Sequence, residues 1–226
     1  MFRKIRDNLW GVLAFVGLIW VVFAVSFIVD MKPLALQPRS AQGLIGILLM
    51  PFLHQDLNHL LGNTVPLTVL LFMLRATRRS PWRIILSLVV GGGVLLWALG
   101  RSEKHMGCSV LIYSLAAYLI SAGVYERKPL PIAAAVLVTV LYGTLFWGLL
   151  PTAGSSVSWE GHLFGALFGA VYAHQTLRRR DSQSERRTEK APTGGTSMEH
   201  TNPSEPAALS PQSPLSQATR DSDSSV

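Results

Sequence analysis

An all-α polytopic membrane protein with six transmembrane helices and both termini in the cytoplasm is what this chain predicts. Three observations carry that expectation. Of 226 residues, 49% are hydrophobic and only 15% charged. The apolar residues gather into six blocks of roughly 20 residues, the length that crosses about 30 Å of hydrocarbon at ~1.5 Å per helical residue. Acidic and basic residues are confined to the block ends. Buried helices of a soluble α protein would not keep their charges at the ends of six blocks in succession.

The first block, Trp10–Val29, follows Arg3, Lys4 and Arg6. It is longer than the ~7–15 apolar residues of a signal peptide, so it reads as a retained helix in spite of the small-x-small echo Ala24-Val25-Ser26. The next five are Leu57–Leu74, Arg83–Leu99, Ser109–Val124, Ile132–Leu150 and Glu160–Leu177. Between the first two, Gln42 to Leu53 is apolar but broken by Gly43, Gly46 and Pro51, and is expected to lie at the interface within a long first loop. The domain plan is therefore a cytoplasmic N-terminus (1–9), a membrane domain (10–177) and a polar tail (178–226). The tail is rich in Ser, Thr, Pro, Glu and Gln and cannot bury enough apolar surface to offset its ordering entropy, so disorder is expected there. No internal repeat is visible.

Charge sets the orientation. With the N-terminus cytoplasmic, the cytoplasmic segments hold Arg3, Lys4, Arg6, Arg75, Arg78, Arg79, Arg83, Arg127, Lys128, Arg178, Arg179 and Arg180. The opposite side holds Lys32, Arg39, Arg101 and Lys104. Twelve against four is a clear positive-inside bias. The net charge of +7 is accounted for by anionic headgroups beside the helix ends, and no nucleic-acid partner is needed. The single cysteine, Cys108, excludes an intrachain disulfide framework.

Polar groups at membrane depth are costly and are functional candidates by default. Ser109 and His162 stand at the starts of the fourth and sixth blocks and suggest a nucleophile and its base. A third cluster, His54, His59 and Asn63, lies at the outer end of the second block, with His59 and Asn63 spaced to share a helix face. The topology puts all three clusters on the non-cytoplasmic side. His54, His59, His162, His105 and Cys108 have the chemistry of zinc ligands. No His-Glu-x-x-His is present, however, and no carboxylate except Glu160 is placed to serve as ligand or base, so neither a metal nor any other cofactor is expected.

The spacing His54-x4-His59-x3-Asn63, then Gly107-x-Ser109 with Tyr113 four residues on, then His162-x2-Gly165-x3-Gly169, resembles the rhomboid family of intramembrane serine proteases. The phrase Val157-Ser158-Trp159-Glu160-Gly161-His162-Leu163-Phe164-Gly165 is similar to bacterial members. The resemblance covers about Gly43 to Ala173 and implies a rhomboid-like bundle. It implies Ser109 as nucleophile, His162 as base, and an oxyanion hole made by Asn63, His59 and the backbone N–H of Ser109, with His54 close by. Tyr113 would stack beneath His162. The substrates implied are transmembrane proteins, cut within or beside their helices in the bacterial inner membrane. The implied gate for lateral entry is Ile132–Leu150, with Thr152–Ser158 as a mobile cap.

Gly161, Gly165 and Gly169 recur every four residues, a small-residue stripe that permits close helix packing. Ser114, Ala116, Ala117 and Ser121 offer small residues in return. Two departures stand out: Val110 replaces the glycine usual after the nucleophile, and Ser114 replaces a glycine or alanine. A β-branched residue beside Ser109 is expected to crowd the oxyanion hole. That expectation lends weight to the alternative of a weak or inactive rhomboid-like protein that binds transmembrane helices. A transporter would predict inverted repeats and broken midplane helices, and neither is seen. Cys108, the helix neighbour of Ser109, should point about 100° away from it.

Overall fold

The computed structural model describes the backbone of residues 2–151 and 158–190, and their side chains except 2–8, 145–146 and 179–190. Among these residues every regular element is helical. Seven α-helices follow in order: α1 (Phe2–Val25), α2 (Gly46–Leu49), α3 (Leu57–Thr77), α4 (Pro81–Leu99), α5 (Ser109–Glu126), α6 (Pro129–Tyr142) and α7 (Trp159–Lys190). Three of them, α3, α4 and α5, are long and apolar enough to cross a membrane. Leu9–Val25, Gln42–Phe52 and Pro129–Tyr142 are shorter apolar helical stretches.

α5 is the hub. Its small residues let neighbours approach from every side. It is 61% buried against 39% for α3 and for α4, and Val110 through Ala116 have no lipid-facing member. The Gly91-Gly92-Gly93 run of α4 serves three partners, because successive helical residues point about 100° apart. Gly91 accommodates the ring of Phe168 on α7, Gly92 faces Val110 and Ser114 of α5, and Gly93 faces Ile47 of α2.

The loop after α1 folds onto the ends of α4 and α5. Leu36 and His105 exchange backbone hydrogen bonds at 3.1 and 2.8 Å. Arg39 donates to the Gly100 carbonyl at 2.6 Å, and Trp97 donates to the Ser40 carbonyl at 2.9 Å. At the other end of the bundle, Arg78 after α3 pairs with Glu126 of α5 and lies over the ring of Tyr118.

Three expectations need correction. The first helix ends at Val25 and not Val29, where the Ser26 hydroxyl takes the Phe23 carbonyl at 2.6 Å in place of a continuing amide. Ile132–Leu150 is not one helix: α6 stops at Tyr142 (φ −126°), and a 3₁₀ segment, Gly143–Leu149, follows. Gly143 is the physical reason, since glycine loses more entropy in a helix than any other residue. Finally, α7 remains helical through Lys190, beyond the boundary at 178 where disorder was expected. Propagating an existing helix is cheap, and Arg, Gln, Glu and Lys are good helix formers. Residues 191–226, the remainder of that tail, lie outside the described residues, as does 152–157 of the expected cap.

Candidate active site

The starts of α3, α5 and α7 converge. Asp56 caps α3 by accepting the His59 amide at 2.9 Å, which sets where the helix begins. One and two turns in, His59 and Asn63 reach the same cavity, and His54 stands in the loop behind them. Asn63 Nδ2 lies 3.2 Å from His54 Nε2. Because the amide is the donor, the His54 Nε2 must accept, so its proton is on Nδ1. Burial, followed by the neighbouring His59, pushes the His54 pKa down to about 4, which keeps the ring neutral for that role.

Gly107 turns the chain into α5 with φ +115°, a conformation that favours glycine. A Cβ there would lie 2.6 Å from Cε1 of His59. That absence of a side chain lets the backbone before Ser109 pass close to the α3 cluster. Ser109 is the first residue of α5, so its amide is among those with no intrahelical acceptor. Cys108 turns away from the cavity, with Sγ 3.8 Å from His54 Nε2. Burial pushes its thiol up to about 12, which leaves it un-ionised and poorly nucleophilic.

His162 is held on two sides. Its ring stacks on Tyr113 with centroids 4.0 Å apart and planes 8° from parallel. Its Nδ1 lies 2.8 Å from the Gly148 carbonyl. A carbonyl can only accept, so Nδ1 carries the proton and Nε2 of the neutral ring keeps its lone pair. His59, Asn63, Ser109, Tyr113, Ser158 and His162 line one cavity of about 510 Å³. His54 is not in its wall and reaches it through Asn63.

The glycine stripe brings α7 onto α5. A Cβ at Gly165 would strike the Val110 carbonyl, and one at Gly169 the backbone of Ser114. The Ser114 hydroxyl spans the seam, 2.8 Å from the Val110 carbonyl and 2.9 Å from that of Gly165. Val110 and Ser114 are the residues of α5 that these two glycines meet most closely. Val110 itself overturns the expectation of crowding. Its side chain is buried with Leu36, Ile47, Met50 and Leu96, and it is absent from the cavity wall. One helical step from Ser109 rotates it into the α4–α7 crevice made by Gly92 and Gly161.

Ser158, His105, Arg101 and Glu160 support the start of α7, in roles that the sequence alone left unassigned. A directional chain runs from the Gly161 amide to Ser158 Oγ at 3.2 Å, and from Ser158 to His105 Nδ1 at 2.8 Å. His105 Nε2 then faces the Arg101 carbonyl at 3.3 Å. Burial holds the His105 pKa below its usual value, consistent with a neutral ring that accepts at one nitrogen and donates at the other. Glu160 accepts from Arg101 Nε at 2.9 Å and from its amide at 3.1 Å. Serine before an apolar helical run is a legible N-cap signal. The Gly148 carbonyl has no signal, because any residue would supply one. Among the described residues no three His, Cys, Asp or Glu side chains converge as a metal site would require.

A bundle whose central helix starts at a serine, on a cavity that a histidine of a neighbouring helix also lines, defines a class of membrane protein with a polar cavity among its helix ends. The Rhomboid domain model matches residues 41–179, and the chain belongs to the rhomboid family. It is an integral membrane protein of that family of intramembrane serine proteases. Its relatives include uncharacterised proteins of Mycobacterium tuberculosis and Mycobacterium bovis. Each is 32% identical over 177 residues, which cover 72% of this chain and 72% of the relative. A protein of Mycobacterium leprae is 30% identical over 185 residues, covering 76% of this chain and 73% of its own.

Proposed function

We propose that this protein is an intramembrane serine endopeptidase that cuts transmembrane-helix substrates with Ser109 and His162. The observation that carries the reading is the state of His162. Tyr113 and the Gly148 carbonyl hold its ring and put the proton on Nδ1, which leaves Nε2 as the base on a cavity that Ser109 also lines. Ser109 Oγ attacks the scissile carbonyl carbon as its proton passes to Nε2. The resulting oxyanion is met by the Ser109 amide, by the second Asn63 Nδ2–H and by His59. Nε2–H then protonates the leaving amine, and water drawn by the same nitrogen hydrolyses the acyl ester.

The membrane setting follows from the charge pattern. Six spans are proposed, with both termini cytoplasmic and the cavity near the non-cytoplasmic face of a bacterial inner membrane. Substrate helices would arrive through the lipid past α6. The chemistry uses neither metal nor cofactor. Val110 no longer favours an inactive protein, since its side chain is buried away from the cavity.

The test is cleavage of a model single-span substrate by purified protein. Ser109→Ala and His162→Ala should each abolish cleavage, and the double variant should be little worse, because the two act as one unit. The thermal midpoint of Ser109→Ala should barely move. Wild-type cleavage by Ser109→Ala would rule the mechanism out. Asn63→Ala should lower kcat about a hundred- to thousandfold, the loss of one oxyanion donor.

A further inference from the structure

A second cavity, of about 540 Å³, lies at the turn between α3 and α4, and the protease reading has no use for it. Arg75, Arg78, Arg79 and Arg83 line it, and no lining residue is acidic. Such a concentration of positive charge is ordinary on a surface and unusual around a concavity.

Arg78 is the anomaly. Its side chain is 3% exposed. Nη1 meets Glu126, and the guanidinium stands 5.2 Å from the Tyr118 ring centroid. Its Nε and Nη2 have no hydrogen-bond partner. Buried donors left unpaired are costly, and an arginine fork is shaped for the oxygens of a carboxylate or phosphate. The start of α4 adds donors. Ser80 provides no side-chain cap, Pro81 has no N–H, and the amides of Trp82 and Arg83 therefore lack an intrahelical acceptor at the positive end of the helix dipole.

We propose that this cavity binds a phosphate ester, with its free oxygens accepting from Arg78, Arg79, Arg83 and the first amides of α4. Trp82, 41% exposed and with the Arg75 guanidinium 5.1 Å from its ring, supplies an amphipathic edge to the site. An anionic phospholipid headgroup and free phosphate offer the same chemistry. Position favours the headgroup. The cavity lies where α3, of 21 residues, ends and α4, of 19, begins, and helices of that length terminate at headgroup depth. The site is independent of the protease reading, because binding is measured without turnover.

The experiment uses the full chain purified in dodecyl maltoside. It is titrated with dioctanoyl phosphatidylglycerol, dioctanoyl phosphatidylcholine or inorganic phosphate, and followed by native mass spectrometry and thermal midpoint. Phosphatidylglycerol should bind saturably with one equivalent, whereas the choline cation should be repelled by the arginines. Arg79→Gln with Arg83→Gln, both exposed positions, should weaken binding about thirtyfold, at roughly fivefold per arginine. Arg78→Lys keeps a charge toward Glu126 but loses the fork, and should also weaken it. Saturation by phosphatidylglycerol alone assigns the headgroup; equal competition by inorganic phosphate assigns a soluble phosphate to the same site. The proposal is overturned if phosphatidylglycerol binds no better than phosphatidylcholine while phosphate does not bind. It is equally overturned if binding survives the Arg79/Arg83 double variant unchanged, and this holds even where Arg78→Lys fails to fold.

Discussion

α6 and α7 both pack closely on the same central helix and differ in their outer faces and in what they bring to the cavity. α7 touches α5 backbone to backbone through Gly165 and Gly169, and the Ser114 hydroxyl adds a hydrogen bond across the seam. α6 meets α5 where Gly123 faces Ala135 and the Pro131 carbonyl. Its outer residues are open, with Val136 57% and Val140 75% exposed, and its α geometry is lost after Tyr142. α7 carries His162, whose ring stacks on Tyr113 of α5. α6 contributes no side chain to the cavity, and the segment after it reaches the site through the Gly148 carbonyl. Both flanks touch α5 closely, and of the two only α7 places a side chain in the cavity.

The largest expected break in that contrast is Gly165→Val. Its Cβ would be driven into the Val110 carbonyl, which cannot shift without moving α5, and a loss of about 3 kcal/mol is expected. Denaturation in micelles would read it as a much lower thermal midpoint together with lost cleavage. Retention of both would show that the seam is slack. Val110→Gly comes next. The sequence alone suggests it is harmless or helpful, but the buried position predicts a loss of about 2 kcal/mol from the emptied space, plus up to about 1 kcal/mol of helix propensity. A midpoint at or above the wild-type value would return Val110 to the oxyanion hole.

Ser114→Ala should cost about 1 kcal/mol, the worth of one buried hydrogen bond, with kcat nearly unchanged. A large fall in kcat at an unaltered midpoint would mean that Ser114 acts on the site and not on the seam. Val140→Ala on α6 should change stability by less than about 0.5 kcal/mol, as its exposure requires. A loss as large as that of Gly165→Val would erase the comparison. The smallest effect at neutral pH belongs to His54, and it grows only in acid. The unfolded chain takes up this proton near 6.5 and the folded one near about 4, so the unfolded state binds more protons in between. Stability should be full above about 6.5 and fall as the pH drops toward 4, and His54→Gln should flatten that slope. A slope identical in the variant would assign it to other groups.

Family membership and the helical class were legible without coordinates. Bilayer thickness fixes the length of apolar blocks, and the His/Asn, Gly-x-Ser and His-x2-Gly-x3-Gly spacings are local patterns that the chain displays directly. The stripe of glycines announced close packing in the same way. The sequence could not say which way Val110 points, because that depends on the crevice that Gly92 and Gly161 form from two other helices. The partner of Glu160, Arg101, is remote in the chain, as is the partner of Ser158, His105. The group that fixes the His162 tautomer is a backbone carbonyl, which every residue possesses and no motif records. Local spacing is written in the chain, whereas the direction of a side chain and the identity of its acceptor are decided only when distant segments are packed together.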